Sequence, residues 1–263
     1  MTHSHAPYAL ALCALLTACG SGSPIEPVEP AQLNATNLVD ALAVAQRAQD
    51  SVLVVNQLFR LASIELLTDL PAKTAGACSG GGDFSYTGSG QQHSLQLRQC
   101  QLKDYRYRKG SLGYVEAADR NTLTLTDVGF DMPLISLSFD VAGTVVESQM
   151  AMQPKRVVGD VKVSAGAVSD SWKYTLTSQP GASGEVVVGE MSLQTSRLPF
   201  SMAMQWTVEK PGVTLRAPDG SSVTVVSYDG LRGVAELGAP GRSPTRQEFT
   251  SAELQAALKR WTY

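Results

Sequence analysis

The chain has 263 residues, with 21 lysine and arginine residues against 24 aspartate and glutamate residues, and a formal net charge of −3. This near-neutral balance removes the electrostatic argument for a nucleic-acid partner, because binding to phosphates depends on an excess of positive charge. With 43% hydrophobic and 17% charged residues, the composition is that of an ordinary globular protein with enough apolar side chains for a core.

The first residues have the pattern of an export signal. Tyr8 to Leu16 is a continuous apolar run, shorter than the ~20 residues that a membrane-spanning helix needs but suited to the centre of a signal peptide. The sequence Leu16-Thr17-Ala18-Cys19 resembles the lipobox of bacterial lipoproteins. The resemblance implies that residues 1–18 are a signal peptide and that Cys19 carries acyl chains such as palmitate. The alternative is an ordinary secretory signal that is cut within Ser21–Ser23.

The residues after Cys19 bear on sorting. Gly20 and Ser21 stand where an aspartate would resemble the inner-membrane retention signal of enterobacteria. The resemblance therefore favours the outer membrane, with the protein facing the periplasm. Because each buried methylene contributes ~0.8 kcal/mol, two or three acyl chains make the membrane a durable partner.

Residues 19–33 are predicted to be a tether. Pro24, Pro27 and Pro30 recur every third residue in a segment rich in serine, glycine and glutamate. This composition favours an extended polyproline II conformation of ~3.1 Å per residue. Residues 34–263 are then expected to form a single domain.

The cysteines predict a disulfide. Cys13 leaves with the signal peptide and Cys19 takes the lipid, so Cys78 and Cys100 remain. An exported chain with two remaining cysteines most simply pairs them. The chain-entropy model assigns roughly 3 kcal/mol to a loop of this size. The order of Cys78, glycine-rich loop, strand and Cys100 is also similar to that of many proteobacterial lipoproteins of unknown activity, which implies the same disulfide and a β-rich body.

The segment from Asn34 to Asp69 is predicted to be a helix. It contains no glycine or proline, and its apolar residues recur at steps of three and four. Asn34 is the predicted N-cap, and Pro71 ends the pattern.

From Gln91 to Leu237 the hydrophobic period changes to two. The clearest run alternates Leu198, Phe200, Met202, Met204, Trp206 and Val208 with polar or small residues. One apolar and one polar face are typical of an antiparallel sheet with one side in water. About ten to twelve strands fit between Asp83 and Leu237, joined by short turns. The apolar parity changes after Gly143, which predicts a bulge or bend at that glycine.

The C-terminal end predicts a short amphipathic helix. Thr250 and Glu253 have the spacing of a capping box, and Leu254, Ala257, Leu258 and Trp261 follow with helical spacing. A sheet of this size with one apolar face must curl, split or be covered. The predicted fold class is therefore α+β and mainly β. A curved antiparallel sheet (meander, incomplete barrel) is wrapped on a long N-terminal helix, with a short helix at the C-terminus.

Lys103 to Lys109 is the one local concentration of charge. As a strand it would place Tyr105 and Tyr107 on one face and Arg106 and Arg108 on the other. These four residues are candidates for contact with an anionic envelope glycan or a lipid headgroup. The alternative is an edge strand whose charges discourage pairing with other chains.

The sequence does not specify a reaction, and we expect a protein that is not an enzyme. His93 is the only histidine after the leader, where it is expected to be an ordinary surface residue near a strand end. We expect no catalytic residues, no metal site and no cofactor. The expected role is binding or scaffolding at the outer membrane, with an envelope protein, glycan or lipid as ligand. The alternative is a carrier or sensor of acyl chains, which requires a cavity of ~300 Å³ or more between sheet and helix.

Overall fold

The computed structural model describes residues 31–64, 73–78, 80–102, 105–132, 137–148, 155–181, 184–207 and 212–260. The predicted signal peptide, the lipobox with Cys19 and most of the predicted tether lie outside these residues. Residues 31–260 belong to one compact unit, which is the part described below.

Helix α1 (Leu38–Ile64, 27 residues) begins later than the predicted segment Asn34–Asp69, whose last five residues lie outside the described ones. Its first turn is preceded by a separate turn, in which the backbone N–H of Thr36 donates to Asn34 Oδ1 at 2.9 Å. The N–H of Asn34 in turn donates to Asn37 Oδ1 at 3.0 Å. Asparagine side chains compete with the helix for backbone groups in this way, so the helical hydrogen bonds begin with the N–H of Ala41 and the carbonyl of Asn37.

The described residues form fifteen strands in one antiparallel sheet. The strands are β1 (Lys73–Ala77), β2 (Asp83–Ser89), β3 (Gln92–Arg98), β4 (Cys100–Leu102), β5 (Tyr105–Glu116), β6 (Arg120–Met132), β7 (Leu137–Ser148), β8 (Arg156–Ala165), β9 (Val168–Gly181), β10 (Gly184–Thr195), β11 (Met202–Thr207), β12 (Val213–Arg216), β13 (Ser222–Tyr228), β14 (Arg232–Gly238) and β15 (Thr245–Thr250). Each strand pairs with its neighbour in sequence, except that β3 and the short β4 both pair with β5.

The prediction of a mainly β chain with a large antiparallel sheet is confirmed, but thirteen strands (β2–β14) lie where ten to twelve were predicted. Two of the strands are very short, β4 with three residues and β12 with four. Strands of this length show too little alternation to be recognised in a sequence.

The core lies between the sheet and α1. The buried residues of α1 and those of the strands form one hydrophobic cluster. Three contacts fix the helix along its length: Gln49 Nε2 lies 3.9 Å from Met204 Sδ, the Tyr174 hydroxyl donates to Asn56 Oδ1 at 3.2 Å, and the Phe59 ring meets the Tyr114 ring edge-on at 5.7 Å.

The bulge predicted at Gly143 lies instead on the neighbouring strand. Residues Leu125 and Val128 of β6 pair with Gly143 and Val141 of β7, which leaves the extra residue in β6. In β7 the buried parity does not change, since Val141 and Val145 are both buried. Gly143 is required for another reason: at its φ of +145° a Cβ atom would lie 2.2 Å from the carbonyl oxygen of Asp160.

Helix α2 (Ser251–Arg260) begins with the predicted capping box. The N–H of Thr250 donates to Glu253 Oε2 at 2.8 Å, and the N–H of Glu253 donates to Thr250 Oγ1 at 3.2 Å. These bonds to Thr250 lower the pKa of Glu253. The helix packs on α1 through its buried residues Ala257 and Leu258. Arg260 of α2 also forms an ion pair with Asp40 of α1 at 2.7 Å. Trp261 lies outside the described residues.

Cys78 and Cys100 form the predicted disulfide, with their Cα atoms 5.4 Å apart. The glycine run beside it is a hydrogen-bonded turn. The N–H of Gly80 donates to the carbonyl of Gln101 at 3.1 Å, and the N–H of Gln101 donates to the carbonyl of Gly81 at 3.0 Å. The turn between β1 and β2 is therefore joined to β4 both covalently and through its backbone.

Three glycines on the core face are covered by aromatic rings of the neighbouring strand. The directly paired residues are Gly189 with Trp206 and Gly233 with Phe249, and Gly159 with Tyr174. A Cβ atom at any of the three glycines would lie 2.1 Å from a ring carbon of its partner. Each ring lies over the strand beside it, which leaves room for α1 above the sheet.

We expect Gly189→Ala to lower the free energy of unfolding by about 1–3 kcal/mol, because the added methyl displaces the Trp206 ring from the core. Urea denaturation followed by tryptophan fluorescence measures this loss. Gly113→Ala is the matched control, since its Cβ would lie an ordinary 3.7 Å from Thr124. Equal losses at both positions would show that glycine matters through the backbone and not through the ring.

Candidate functional site

The charged segment of β5 does not present its four candidate residues together at one surface. Tyr107 is completely buried, and its ring meets Phe130 edge-on at 5.5 Å. Arg106 is exposed, and its guanidinium donates to Gln99 Oε1 at 3.0 Å. The side chain of Tyr105 lies outside what the structure describes.

Arg108 is held by carboxylates of the two following strands. Its guanidinium lies 2.9 Å from Asp131 and 2.7 Å from Asp140. The neighbouring Lys109 pairs with Asp127 at 2.8 Å and with Asp140 at 3.1 Å, and its hydrogen bonds to these two carboxylates raise its pKa. Arg108 and Lys109 are thus neutralised by carboxylates within the sheet.

The alternative interpretation of this segment, a charged edge strand, is wrong. Strand β5 pairs with β3 and β4 on one side and with β6 on the other. Its charges are explained by cross-strand ion pairs on the outer face of the sheet, which stabilise neighbouring strands.

A groove of about 580 Å³ runs across the outer face of β8–β12. We call it the outer-face groove. The exposed or half-buried side chains that line it are Val158, Asp160, Lys173, Thr175, Glu190, Ser192, Ala203, Gln205, Thr214 and Arg216. No residue of this set was among the candidates from sequence, because each belongs to the polar half of an alternating strand and looks like ordinary solvent-facing surface.

The charges of the outer-face groove are balanced. Lys173 Nζ lies 3.4 Å from Asp160 on the adjacent strand, and Gln205 Nε2 donates to Glu190 Oε1 at 3.1 Å. Arg216 adds a second cation at the end of β12. With two carboxylates, two cations, hydroxyls and an amide, the groove can bind a polar ligand of mixed charge, such as a peptide or a glycan.

A smaller pocket of about 120 Å³ lies between α1 and the core face of β7–β10. Its apolar wall consists of Phe59, Val157, Leu176 and Val187. Its polar lining includes Glu147, whose side chain is only 14% exposed and which forms an ion pair with Lys155.

A group of polar and aromatic side chains lies on β2, β3 and β5. The Tyr86 hydroxyl lies 2.7 Å from His93 Nδ1, and the two rings stack at 6.1 Å. His93 lies on the core side next to Tyr114, with the ring centroids 6.3 Å apart. The expectation of an ordinary surface histidine is therefore wrong, because strand parity turns residue 93 towards the same side as the buried Leu95.

Several buried polar atoms in this region have no hydrogen-bond partner among the described residues. They are the hydroxyl of Tyr114, Oδ1 of Asn121 and Nε2 of His93. Tyr114 and Asn121 are only 1% and 5% exposed. An unsatisfied buried polar group costs about 1–3 kcal/mol, so a native protein that keeps several together requires an explanation.

Tyr114 predicts a specific alkaline instability. Its burial, with Glu116 and Glu147 nearby, raises the pKa of the phenol from 10 to about 12. The unfolded chain loses this proton first as pH rises, so the contribution of Tyr114 to stability is complete below pH 10 and is lost between pH 10 and about 12. We expect Tyr114→Phe to be less destabilised than the wild type across this window, as measured by melting temperature against pH. Tyr228→Phe, at an exposed ring, is the control and is expected to follow the wild type.

The predicted tether joins the domain at the turn between β12 and β13. The N–H of Gln32 donates to Asp219 Oδ2 at 2.9 Å, and the N–H of Leu33 donates to Ser221 Oγ at 2.9 Å. Bonds from backbone N–H groups and from the Ser221 hydroxyl lower the pKa of Asp219. The last residues of the predicted tether are therefore bound to the domain.

Comparisons of the chain with protein-family models, with curated proteins and with solved structures find no match. Among the helices of the described residues, none combines the length and hydrophobicity needed to cross a bilayer. Within the same residues, no group of three or more His, Cys, Asp or Glu side chains is placed to hold a metal ion. The functional argument therefore depends on the residues of the outer-face groove and of the smaller pocket described above.

Proposed function

We propose that this protein is a non-enzymatic binding or scaffolding protein of the cell envelope. In this proposal, acyl chains on Cys19 anchor it to the outer membrane, and it faces the periplasm. The observation that carries the binding role is the outer-face groove, whose volume of about 580 Å³ falls within the range of ~300–1,000 Å³ usual for ligand sites. The ligand is an envelope protein segment or a glycan, and nucleic acid is not a partner.

The junction of the predicted tether supports this arrangement. Gln32 and Leu33 are bound to the turn that follows Arg216, the last residue of β12, and Arg216 lines one end of the groove. A lipid anchor attached through this segment would therefore join the domain close to the outer-face groove.

The proposal includes a sheet that curves around α1 as an incomplete barrel. In a flat sheet, β5 and β11 would lie about 29 Å apart, since strands are spaced by ~4.8 Å. Yet Phe59 meets Tyr114 on β5 and Gln49 meets Met204 on β11. Gln49 and Phe59 are ten positions apart, which is only about 15 Å of helix, so curvature brings both strands to α1.

The volume of the interior pocket argues against the alternative of an acyl-chain carrier. The pocket between α1 and the sheet measures about 120 Å³, less than half of the ~300 Å³ at the lower end of ligand sites. Met191, Met202 and Met204 are each at most 4% exposed and fill the core. Met150 and Met152 lie outside the described residues.

The anchor is tested by replacing the cysteine in the full-length precursor. Expressed with its leader, the wild type is expected in the outer-membrane fraction, with an acylated N-terminal peptide in mass spectrometry. Cys19→Ser is expected to lose the acyl mass and the membrane association. A wild-type N-terminus cut within Ser21–Ser23 and free of lipid would refute the anchor.

The groove is tested by photo-crosslinking in cells. A photoreactive residue at Ala203, inside the outer-face groove, is expected to give a discrete adduct. The same residue at Ala142, which is exposed on the outer face of β7, is the control and is expected to give none. No adduct at Ala203, or the same adducts at both positions, would contradict the proposal. Co-purified acyl chains in native mass spectrometry would favour the carrier instead.

A further inference from the structure

Strand β15 is the last strand in the order of the sheet, and one of its edges is open. Among the described strands it pairs only with β14. Residues 245–248 are all exposed, on both faces of the strand, so no described part of the chain covers them. An edge strand presents unpaired backbone N–H and C=O groups, which are a template for pairing with another chain.

The backbone hydrogen bonds show which residues of β15 face the open edge. The N–H of Thr250 donates to the carboxylate of the α2 capping box at 2.8 Å. The residue opposite, Arg232, donates its N–H to Asp229 Oδ1 at 2.7 Å. Thr250 and Arg232 are therefore not a hydrogen-bonded pair of the ladder. Because hydrogen-bonded and non-hydrogen-bonded pairs alternate along antiparallel strands, the backbone groups of Arg246 and Glu248 also point away from β14.

The side chains at this edge carry opposite charges that are only partly paired. Nε and Nη2 of Arg246 both donate to Glu236 Oε1 at 3.1 Å, which leaves the other guanidinium N–H groups for further acceptors. Glu248 lies opposite the apolar Val234 of β14 and forms no ion pair within the part of the chain that the structure describes. Its backbone carbonyl accepts a long bond of 3.3 Å from Gln247 Nε2. The open edge thus combines available donors with a carboxylate that lacks a cation.

We propose that β15 pairs with β15 of a second copy of the chain, antiparallel and centred on Gln247. In this register Arg246 of each copy lies opposite Glu248 of the other. The backbone groups of these two residues face the edge, so they exchange N–H···O=C bonds across it. Each copy supplies the cation that Glu248 of the other lacks. A two-fold axis relates the copies, and the interface is isologous.

The charges select this register. A slip by two residues would place Arg246 opposite Arg246 of the second copy, or Glu248 opposite Glu248, and like charges directly opposite each other are destabilising. The ends of the paired segment are also set. Pro244 has no N–H to donate, and the N–H of Thr250, which lies opposite it, is already bonded within its own chain. Pairing is therefore confined to residues 245–249.

The first test measures association by sedimentation equilibrium. It uses the full chain with Cys13→Ser and Cys19→Ser, which removes the acylation site and the thiols outside the disulfide. This protein is expected to show a reversible monomer–dimer equilibrium. Arg246→Glu and Glu248→Arg, each added alone, are expected to weaken the dimer by at least about tenfold, because like charges then face each other across the edge.

An equimolar mixture of the two variants is expected to recover the association, since every pair across the edge again has opposite charges. Arg98→Glu is the matched control, because Arg98 is also an exposed arginine whose carboxylate partner, Asp83, lies opposite it on the adjacent strand. It is expected to associate as the unaltered edge does. A monomer at every concentration would overturn the inference and would show that the charges guard the edge. Oligomers that grow beyond the dimer would also overturn it, since they require a head-to-tail contact.

A cysteine at the two-fold axis tests the register. In the same background, Gln247→Cys places two thiols at a non-hydrogen-bonded pair, whose Cα atoms are ~4.5 Å apart, a separation that a disulfide can span. Oxidation is expected to give a covalent dimer. Thr245→Cys is the control, since Thr245 is exposed on the same face but would lie ~13 Å from Thr245 of the second copy. It is expected to stay monomeric.

The cysteine variants decide even if a charge-reversed variant fails to fold, because they leave the charges of the edge unaltered. Equal cross-linking at positions 247 and 245 would mean that the contact has no defined register and would overturn the inference. The absence of cross-linking at both positions would overturn it as well.

Discussion

Arg197→Met is expected to lower the free energy of unfolding by about 3–5 kcal/mol, because it leaves a buried carboxylate without its counter-charge. Arg197 lies 3.4 Å from Asp170, and both side chains are only 1% exposed. Asp170 also accepts a hydrogen bond from Thr195 Oγ1 at 2.7 Å. That hydroxyl remains in the variant but cannot neutralise the charge. Chemical denaturation followed by tryptophan fluorescence measures the loss, since Trp172 is also buried.

The matched control is an ion pair of the same length at the surface. Lys173 and Asp160 are also 3.4 Å apart, with side chains 73% and 56% exposed. Lys173→Met is expected to cost less than about 1 kcal/mol, because water already solvates both charges. The double variant Asp170→Leu with Arg197→Met is expected to recover most of the single-variant loss, since an apolar pair removes the desolvation cost. Equal losses at the buried and surface pairs would contradict this explanation.

Removal of the disulfide is expected to cost roughly 3 kcal/mol, because the unfolded chain regains the freedom that the closed loop denies it. The bond joins Cys78 to Cys100 across 22 positions of sequence. The comparison is the oxidised wild type against Cys78→Ala with Cys100→Ala in urea denaturation. The reduced wild type provides an independent check and is expected to match the double variant. If the double variant is as stable as the oxidised wild type, the hydrogen bonds of the Gly80–Gly82 turn suffice to hold this region.

Much of the fold could be predicted because it follows from local patterns. The alternation at Met202, Met204 and Trp206 corresponds to buried positions on one face of β11. The capping box of α2 needs only residues 250 and 253, which are neighbours in space whenever a helix follows. The predicted start of α1 was wrong. The side chains of Asn34 and Asn37 accept hydrogen bonds from the backbone of a turn that precedes the helix, and the spacing of apolar residues gives no sign of such bonds.

The sites were less predictable because they depend on non-local contacts. Whether the charges of β5 guard an edge depends on which strands pair with β5, and these include β4, only three residues long. Arg108 is neutralised by Asp131 and Asp140, which lie 23 and 32 positions further along the chain. The outer-face groove is lined by side chains of five strands. Each of these strands taken alone shows only an ordinary polar face.

The sequence by itself therefore determined the secondary-structure class, the antiparallel connectivity, the pairing of Cys78 with Cys100 and the cap of α2. The lipobox at Cys19 remains its prediction for the address of the protein. Only the tertiary structure decided which polar residues are buried, since alternation assigns a residue to one face of its strand but does not show where that face is covered. It placed His93, Tyr114 and Asn121 on the core side, and it brought Asp170 and Arg197 together out of water. These outcomes depend on strand register and on the position of α1, which arise from packing the whole chain at once.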